Sequence, residues 1–217
     1  PGSKGVPEDA VKNTLIAEYN NLESVQSHIN ASDDIAAVII EPIAGNMGVV
    51  KPTEDFIKGL RELTSKHNIL LIVDEVMTGF RSKFGGAQEL LGIEADITCL
   101  GKVIGGGFPV GAYGARNEIM EEVAPLGGMY QAGTLSGNPI AMAAGIATLE
   151  VLEKENPYER FNAHSERLAN YMHNLAEQHQ IPIQVNWFGS MINPFFNEEA
   201  VIDFSTAQKS DAERFKV

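Results

Sequence analysis

Ala36-Ala37-Val38-Ile39-Ile40 is a continuous, mostly branched apolar run closed by Glu41-Pro42, and it predicts a strand buried on both faces. Thr53 can cap the helix predicted next, Glu54 to His67, whose apolar stripe is Phe56, Ile57, Leu60 and Leu63. Asn68 ends that helix, and Ile69-Leu70-Leu71-Ile72-Val73 predicts a second buried strand that delivers Asp74-Glu75 at its carboxyl end. Ile97-Thr98-Cys99-Leu100 is a third short run, ending at Gly101-Lys102. Strand, helix and strand with continuous rather than alternating apolar positions predict βαβ units and a parallel sheet. Ligands of such sheets bind beyond the carboxyl ends of the strands, where Glu41, Asp74 and Lys102 all fall.

After Tyr113 the pattern changes. Asn138-Pro139 opens a helix with Ile140, Met142, Ala143, Ile146, Leu149 and Leu152, apolar on several sides and therefore expected to be well buried. Asn156-Pro157 breaks it, and a more polar amphipathic helix follows with Phe161, Leu168, Tyr171, Met172 and Leu175. Segments 183–186 and 191–196 read as strands with partial alternation. The expected fold class is α/β with a mostly parallel sheet over residues 1–155, then the start of a smaller α+β domain over residues 156–217. The opening from Pro1 to Pro7 is loop-like, and the chain stops at Arg214-Phe215-Lys216-Val217 inside a helix expected from about Ser210. It therefore reads as an internal piece of a longer protein.

Composition narrows the function. The 217 residues hold 16 Lys+Arg against 29 Asp+Glu, a formal charge of −13, which argues against nucleic-acid or anionic-membrane partners. One cysteine, Cys99, allows neither an internal disulfide nor a Cys-based zinc site, and no metal is expected. No apolar run has membrane-spanning length, and no signal-peptide pattern opens the chain. A soluble protein of the reducing cytoplasm is the expectation. Glycine, at 21 copies, is the skewed count.

Lys102 stands in Gly101-Lys102-Val103-Ile104-Gly105-Gly106-Gly107. A lysine after an apolar strand and ringed by glycines can be partly desolvated, which frees its amine as a nucleophile; a surface lysine in a flexible loop has the same signature. No phosphate-loop or dinucleotide-binding glycine pattern is matched. Asp74 ends an uninterrupted hydrophobic strand, so its carboxylate needs a partner, either Arg81, a helix N-terminus or a cationic ligand atom. An aspartate and a reactive lysine on two strand ends match what pyridoxal phosphate needs, a covalent amine and an acid holding the pyridine nitrogen charged. The segment from Gln131 to Pro139 precedes a helix N-terminus, a place for a phosphate or simply a capped turn.

Asp74-Glu75-Val76-Met77-Thr78-Gly79-Phe80-Arg81, Leu100-Gly101-Lys102-Val103-Ile104-Gly105-Gly106-Gly107 and Tyr130-Gln131-Ala132-Gly133-Thr134-Leu135-Ser136-Gly137-Asn138-Pro139 occur in this order. With these motifs the chain resembles the glutamate-1-semialdehyde 2,1-aminomutase branch of the class III aminotransferase-like enzymes, closely to about residue 150 and more loosely beyond. Three segments separate this branch from the ω-aminotransferases: Met77 where those carry Gln, Tyr130 to Leu135, and Glu41-Pro42-Ile43-Ala44-Gly45-Asn46-Met47-Gly48. The resemblance implies the large domain of fold-type I pyridoxal-phosphate enzymes, and it implies that a long N-terminal portion and a shorter C-terminal piece of the family protein lie outside this chain.

It further implies Lys102 as the Schiff-base lysine and proton shuttle, with Asp74 on the pyridinium nitrogen and Val76 against a ring face. Glu41 and Asn46 correspond to polar positions near the ring and its hydroxyl. Gly133 and Thr134 correspond to a segment that reaches the cofactor phosphate of a neighbouring subunit, hence a homodimer with shared sites. The implied substrate is a small molecule, (S)-4-amino-5-oxopentanoate, isomerised to 5-aminolevulinate for tetrapyrrole (porphyrin) synthesis through pyridoxal and pyridoxamine 5'-phosphate forms of the cofactor. Two alternatives stand beside it, a class III ω-aminotransferase with an external amino donor and a non-catalytic globular module. Because the phosphate-binding stretch of the N-terminal portion is missing, the chain alone is expected to hold the cofactor weakly and to have little activity.

Overall fold

The computed structural model describes residues 3–216; Pro1 and Gly2 of the loop-like opening and Val217 of the expected closing helix lie outside the described residues. The elements run α1 (Glu8–Val11), α2 (Leu22–Ala31), β1 (Ala37–Ile40), α3 (Glu54–Lys66), β2 (Leu70–Asp74), α4 (Gly86–Leu91) and β3 (Ile97–Gly101). A 3-10 turn (Lys102–Gly105) leads to β4 (Gly111–Ala115), α5 (Asn117–Met120), α6 (Pro139–Glu155) and α7 (Tyr158–Gln178). β5 (Gln184–Phe188), β6 (Met191–Phe195), α8 (Phe204–Gln208) and α9 (Ala212–Phe215) complete it.

One sheet has the order β1-β2-β3-β4, with β1, β2 and β3 parallel and β4 antiparallel to β3. This is the mostly parallel α/β arrangement expected. Thr53 Oγ1 accepts the Phe56 N–H at 3.2 Å and starts α3, whose Phe56, Ile57, Leu60 and Leu63 form one core with Leu71 and Val73 of β2 and with Val25 and Ile29 of α2. Asp203 caps α8 in a reciprocal capping box with Thr206. The antiparallel hairpin β5–β6 pairs Asn186 with Asn193 and Trp187 with Ile192, so Pro194 is accommodated within a two-stranded edge.

Two expectations change, and one element was not expected. β1 is not buried on both faces: Ile40 is 8% exposed but Ile39 is 62% exposed, because α2 and α3 cover only one side of the strand. In β2 burial likewise alternates, with Leu71 and Val73 inside and Leu70 and Ile72 half-buried. Second, α6 is largely open, with only Ala141 and Gly145 buried and Ile140, Met142, Ile146 and Val151 exposed. Its all-round apolar surface signals partners, but here it packs closely only where its small residues meet the Lys102 loop: a Cβ on Gly145 would overlap Ile104 O, and one on Gly106 would come within 2.5 Å of Ala144 O. The unexpected element, β4, is a strand that its Gly-Ala-Tyr-Gly-Ala composition hides, since glycine and alanine carry little strand preference.

Candidate active site

The carboxyl end of β1 delivers Glu41 into a tight loop. Glu41 Oε2 accepts the Gly45 N–H at 2.8 Å, and Oε1 accepts from the Asn46 side-chain amide at 3.2 Å. The loop is closed at its base by Ala44 and Val50, which exchange backbone hydrogen bonds of 2.9 and 3.2 Å. Tyr19 pins the strand end, its hydroxyl within 3.2 Å of the carbonyls of both Glu41 and Pro42. Burial, and then the charge of Glu41, push the Tyr19 hydroxyl well above the ordinary phenol range. Glu41 and Asn46 are thus brought together, with Asn46 exposed and Glu41 half-buried.

β2 and β3 run in register with Asp74 opposite Cys99. Asp74 Oδ1 accepts the Val76 N–H at 2.9 Å, and among the described residues no cationic side chain pairs with it. Arg81, one partner considered from the sequence, donates instead to Met77 O at 2.7 Å. Burial, and then the Asp74 charge, raise the Cys99 thiol, so the cysteine shares the aspartate's surroundings. Val76 faces the neighbouring strand end: a Cβ on Gly101 would lie 3.2 Å from Val76 Cγ1. The next residue is Lys102, exposed, with a backbone φ of +47°. Its ammonium makes no ion pair or hydrogen bond among the described residues. Strand spacing and rise put its Cα roughly 11 Å from that of Asp74, a gap that a lysine side chain and one small ring can bridge.

The helix N-terminus that might have served Asp74 is taken by Glu75, which sequence reasoning passed over. Glu75 is 1% exposed. Its carboxylate accepts the Ala87 N–H at 3.1 Å and the Gln88 N–H at 2.7 Å at the start of α4, together with the Thr78 hydroxyl. Gly86 makes this approach possible, with φ +75° and a would-be Cβ only 2.5 Å from Glu75 Oε1. Of two adjacent acids, one therefore locks the following loop while the other, bonded only to the Val76 N–H among the described residues, stays without a cationic partner at the strand end. The paired glycines Gly85-Gly86, ten and eleven residues after Glu75, were the available signal.

Gly133 and Thr134 lie in the exposed segment ahead of α6, and no hydrogen bond joins them to Asp74 or Lys102. Asn138 caps α6, accepting from Ile140 N at 3.1 Å and Ala141 N at 3.2 Å. A shallow apolar cleft of ≈ 210 Å³ opens there, between Phe108-Pro109 and Leu135, Asn138, Ile140 and Ala141, beside the Lys102 loop and not including it. No cluster of metal-ligating side chains exists among the described residues, and no helix among them is long and apolar enough to cross a membrane.

The model of the aminotransferase class-III family matches residues 5–211. The chain belongs to that family. Among class-III relatives, it is 58% identical over 216 residues to glutamate-1-semialdehyde 2,1-aminomutase 2 of Brevibacillus brevis, and 54% identical to the glutamate-1-semialdehyde 2,1-aminomutase of Persephonella marina. Each match covers 99% of this chain and 50% of the relative, so the chain spans about half the length of the curated relatives it matches. Its fold superposes on an omega-transaminase from Sphaerobacter thermophilus with a TM-score of 0.90, at 31% identity and over 99% of this chain and 49% of that one. A glutamate-1-semialdehyde-aminomutase from Pseudomonas aeruginosa, solved in complex with PMP, gives a TM-score of 0.83 at 29% identity, over 96% of this chain and 48% of that one. The fold class read from the sequence is therefore the fold-type I transaminase fold.

Proposed function

We propose that this chain carries the lysine-bearing part of a pyridoxal-phosphate enzyme that converts glutamate-1-semialdehyde to 5-aminolevulinate. One observation carries the choice of reaction: relatives matched over 99% of this chain at 54% and 58% identity are named for that activity. The residues fit the cofactor, with an unengaged amine and a carboxylate free of cationic partners on adjacent strand ends and Val76 forming a wall beside them. Bound there, the cofactor supplies amine–carbonyl exchange and a sink for carbanion electrons.

Lys102 would hold the cofactor covalently through Nζ and, once displaced by substrate, move protons at that same atom. Asp74 would keep the ring nitrogen charged by ion pairing, a role that the absence of a competing arginine leaves open to it. Val76 would exclude water from one face, and the Glu41–Asn46 pair would orient the ring's polar edge. Gly133 and Thr134, exposed and remote in bonding from Lys102, would serve a second copy's phosphate, which makes the working enzyme a homodimer. We place the division between the cofactor domain and the small domain near residue 156, and the enzyme in the cytoplasm.

The test uses the intact gene product. Supplied with glutamate-1-semialdehyde and no keto acid, it should form 5-aminolevulinate, and borohydride should fix a pyridoxyl group on Lys102 detectable by mass spectrometry. Lys102→Ala should abolish both. Turnover that requires an added keto acid would make it an ω-aminotransferase, and an unmodified Lys102 would end the pyridoxal-phosphate reading.

A further inference from the structure

We infer that Phe195 is a positioning residue for the Glu41–Asn46 pair, acting from the β5–β6 hairpin through Gly48. Gly48 has φ +99°, and a Cβ there would overlap Phe195 Cζ and lie 2.9 Å from Cε1 and 3.0 Å from Asn193 Nδ2. The ring therefore lies flush against the loop backbone, in space that any other residue at position 48 would fill. Phe195 is 9% exposed and shares a cluster with Ala44 and Val50, the two residues that close the loop base.

The connection to the site is short. The Gly48 N–H donates to Gly45 O at 3.0 Å, and the Gly45 N–H donates to Glu41 Oε2 at 2.8 Å. Pressure on Gly48 thus sets the turn that aims an amide at the Glu41 carboxylate. The next residue, Val49, has φ +60°, a left-handed backbone that branched side chains avoid and that persists only where the surroundings hold it. What holds it is a cluster with Ile43, Ala87 and Met191, the last again from the hairpin. Lys51 adds a third tie, its Nζ 5.1 Å from the Trp187 ring centroid. The hairpin turn also rests on the loop after Asp74, where a Cβ on Gly189 would come within 2.7 Å of Ser82 Cα. One hairpin therefore braces both strand-end loops.

The inference gives the brace a catalytic meaning only through the reading proposed above, so its test has a readout free of cofactor. In the apo protein, amide hydrogen exchange at Gly45 should speed up roughly tenfold in Phe195→Ala and less in Phe195→Leu, while Leu71 and Val73 in β2 stay unchanged. In the intact gene product with pyridoxal phosphate, Phe195→Ala should shift the cofactor absorption band in the same direction as Asn46→Ala. In the double variant the band should move no further than in Asn46→Ala alone. Unchanged exchange at Gly45, or an equal acceleration at Gly45 and in β2, overturns the inference, as does an additive spectral shift. If Phe195→Ala does not fold, Phe195→Leu decides by the same criteria. A wild-type protein that takes up no cofactor removes the reading of function and leaves the exchange result to decide this one.

Discussion

Glu75→Gln tests whether a buried, acceptor-only carboxylate ties the loop after Asp74 to the sheet. The native group receives three donors, Thr78 and Ala87 on one oxygen and Gln88 on the other, and at 1% exposure water cannot replace any of them. An amide keeps one acceptor oxygen. Its NH2 must then face either the Gln88 N–H or the pair from Thr78 and Ala87, so at least one charge-assisted hydrogen bond is lost and one backbone donor is buried unpaired. The expected loss is about 3 kcal/mol. For a chain of this length that lowers Tm by roughly 6–12 °C, read by circular dichroism alongside a urea midpoint. Thr78→Val should cost less, about 1 kcal/mol, because the two backbone donors remain. A loss below about 1 kcal/mol for Glu75→Gln would refute the account, since it would mean that the three donors do not converge on an ionised group.

Other outcomes follow from the same reasoning. Asp96, 15% exposed in its side chain, pairs with Arg61 at 2.9 Å and Arg116 at 2.6 Å and accepts the Leu71 N–H at 2.8 Å. Burial alone would raise its pKa, but these partners outweigh it and hold the carboxyl below its ordinary value, so its stabilisation is present above about pH 4 and fades as pH falls through the depressed value. Wild type should therefore exceed Asp96→Asn in urea midpoint at neutral pH, with the gap closing below about pH 4; a pH-independent gap refutes the linkage. Tyr19, raised by burial and by Glu41, favours its neutral form in the fold, so its contribution is whole below about pH 10 and is lost only in stronger alkali. Its ionisation should appear in ultraviolet titration only above about pH 10, and Tyr19→Phe should reduce that alkaline step and cost about 1 kcal/mol. Lys51→Met should lower stability by about 0.5–1 kcal/mol if its ammonium interacts with the faces of Trp187 and Phe188, measured by the shift in urea midpoint; no shift contradicts the contact's worth.

Local signals were legible in the sequence. Thr53 as a cap, the apolar stripe of α3, the runs at residues 36–40, 69–73 and 97–100, which fall within a residue of the strands, and the Asn138-Pro139 start of α6 all depend on neighbours within a turn or two. The strand-end placement of Glu41, Asp74 and Lys102 follows from those runs alone. What escaped is long-range or compositional. Nothing local says which of Asp74 and Glu75 turns toward the α4 N-terminus, since that depends on Gly86 admitting the carboxylate. The seat of Phe195 on Gly48 joins residues far apart in the chain. The openness of α6 was misread because an apolar surface states that a helix should be covered, not what lies within reach to cover it.

The left-handed backbone at Lys102 has a consequence for how such a protein could evolve or be improved. A φ of +47° suits glycine or asparagine better than a long side chain, so replacing this one lysine with either of those would relax the main chain. With Lys102 as the cofactor-bearing residue proposed above, screens that reward heat resistance alone would then enrich inactive variants at position 102, and only continued demand for turnover would retain the amine. Robustness and chemistry compete here at a single peptide unit.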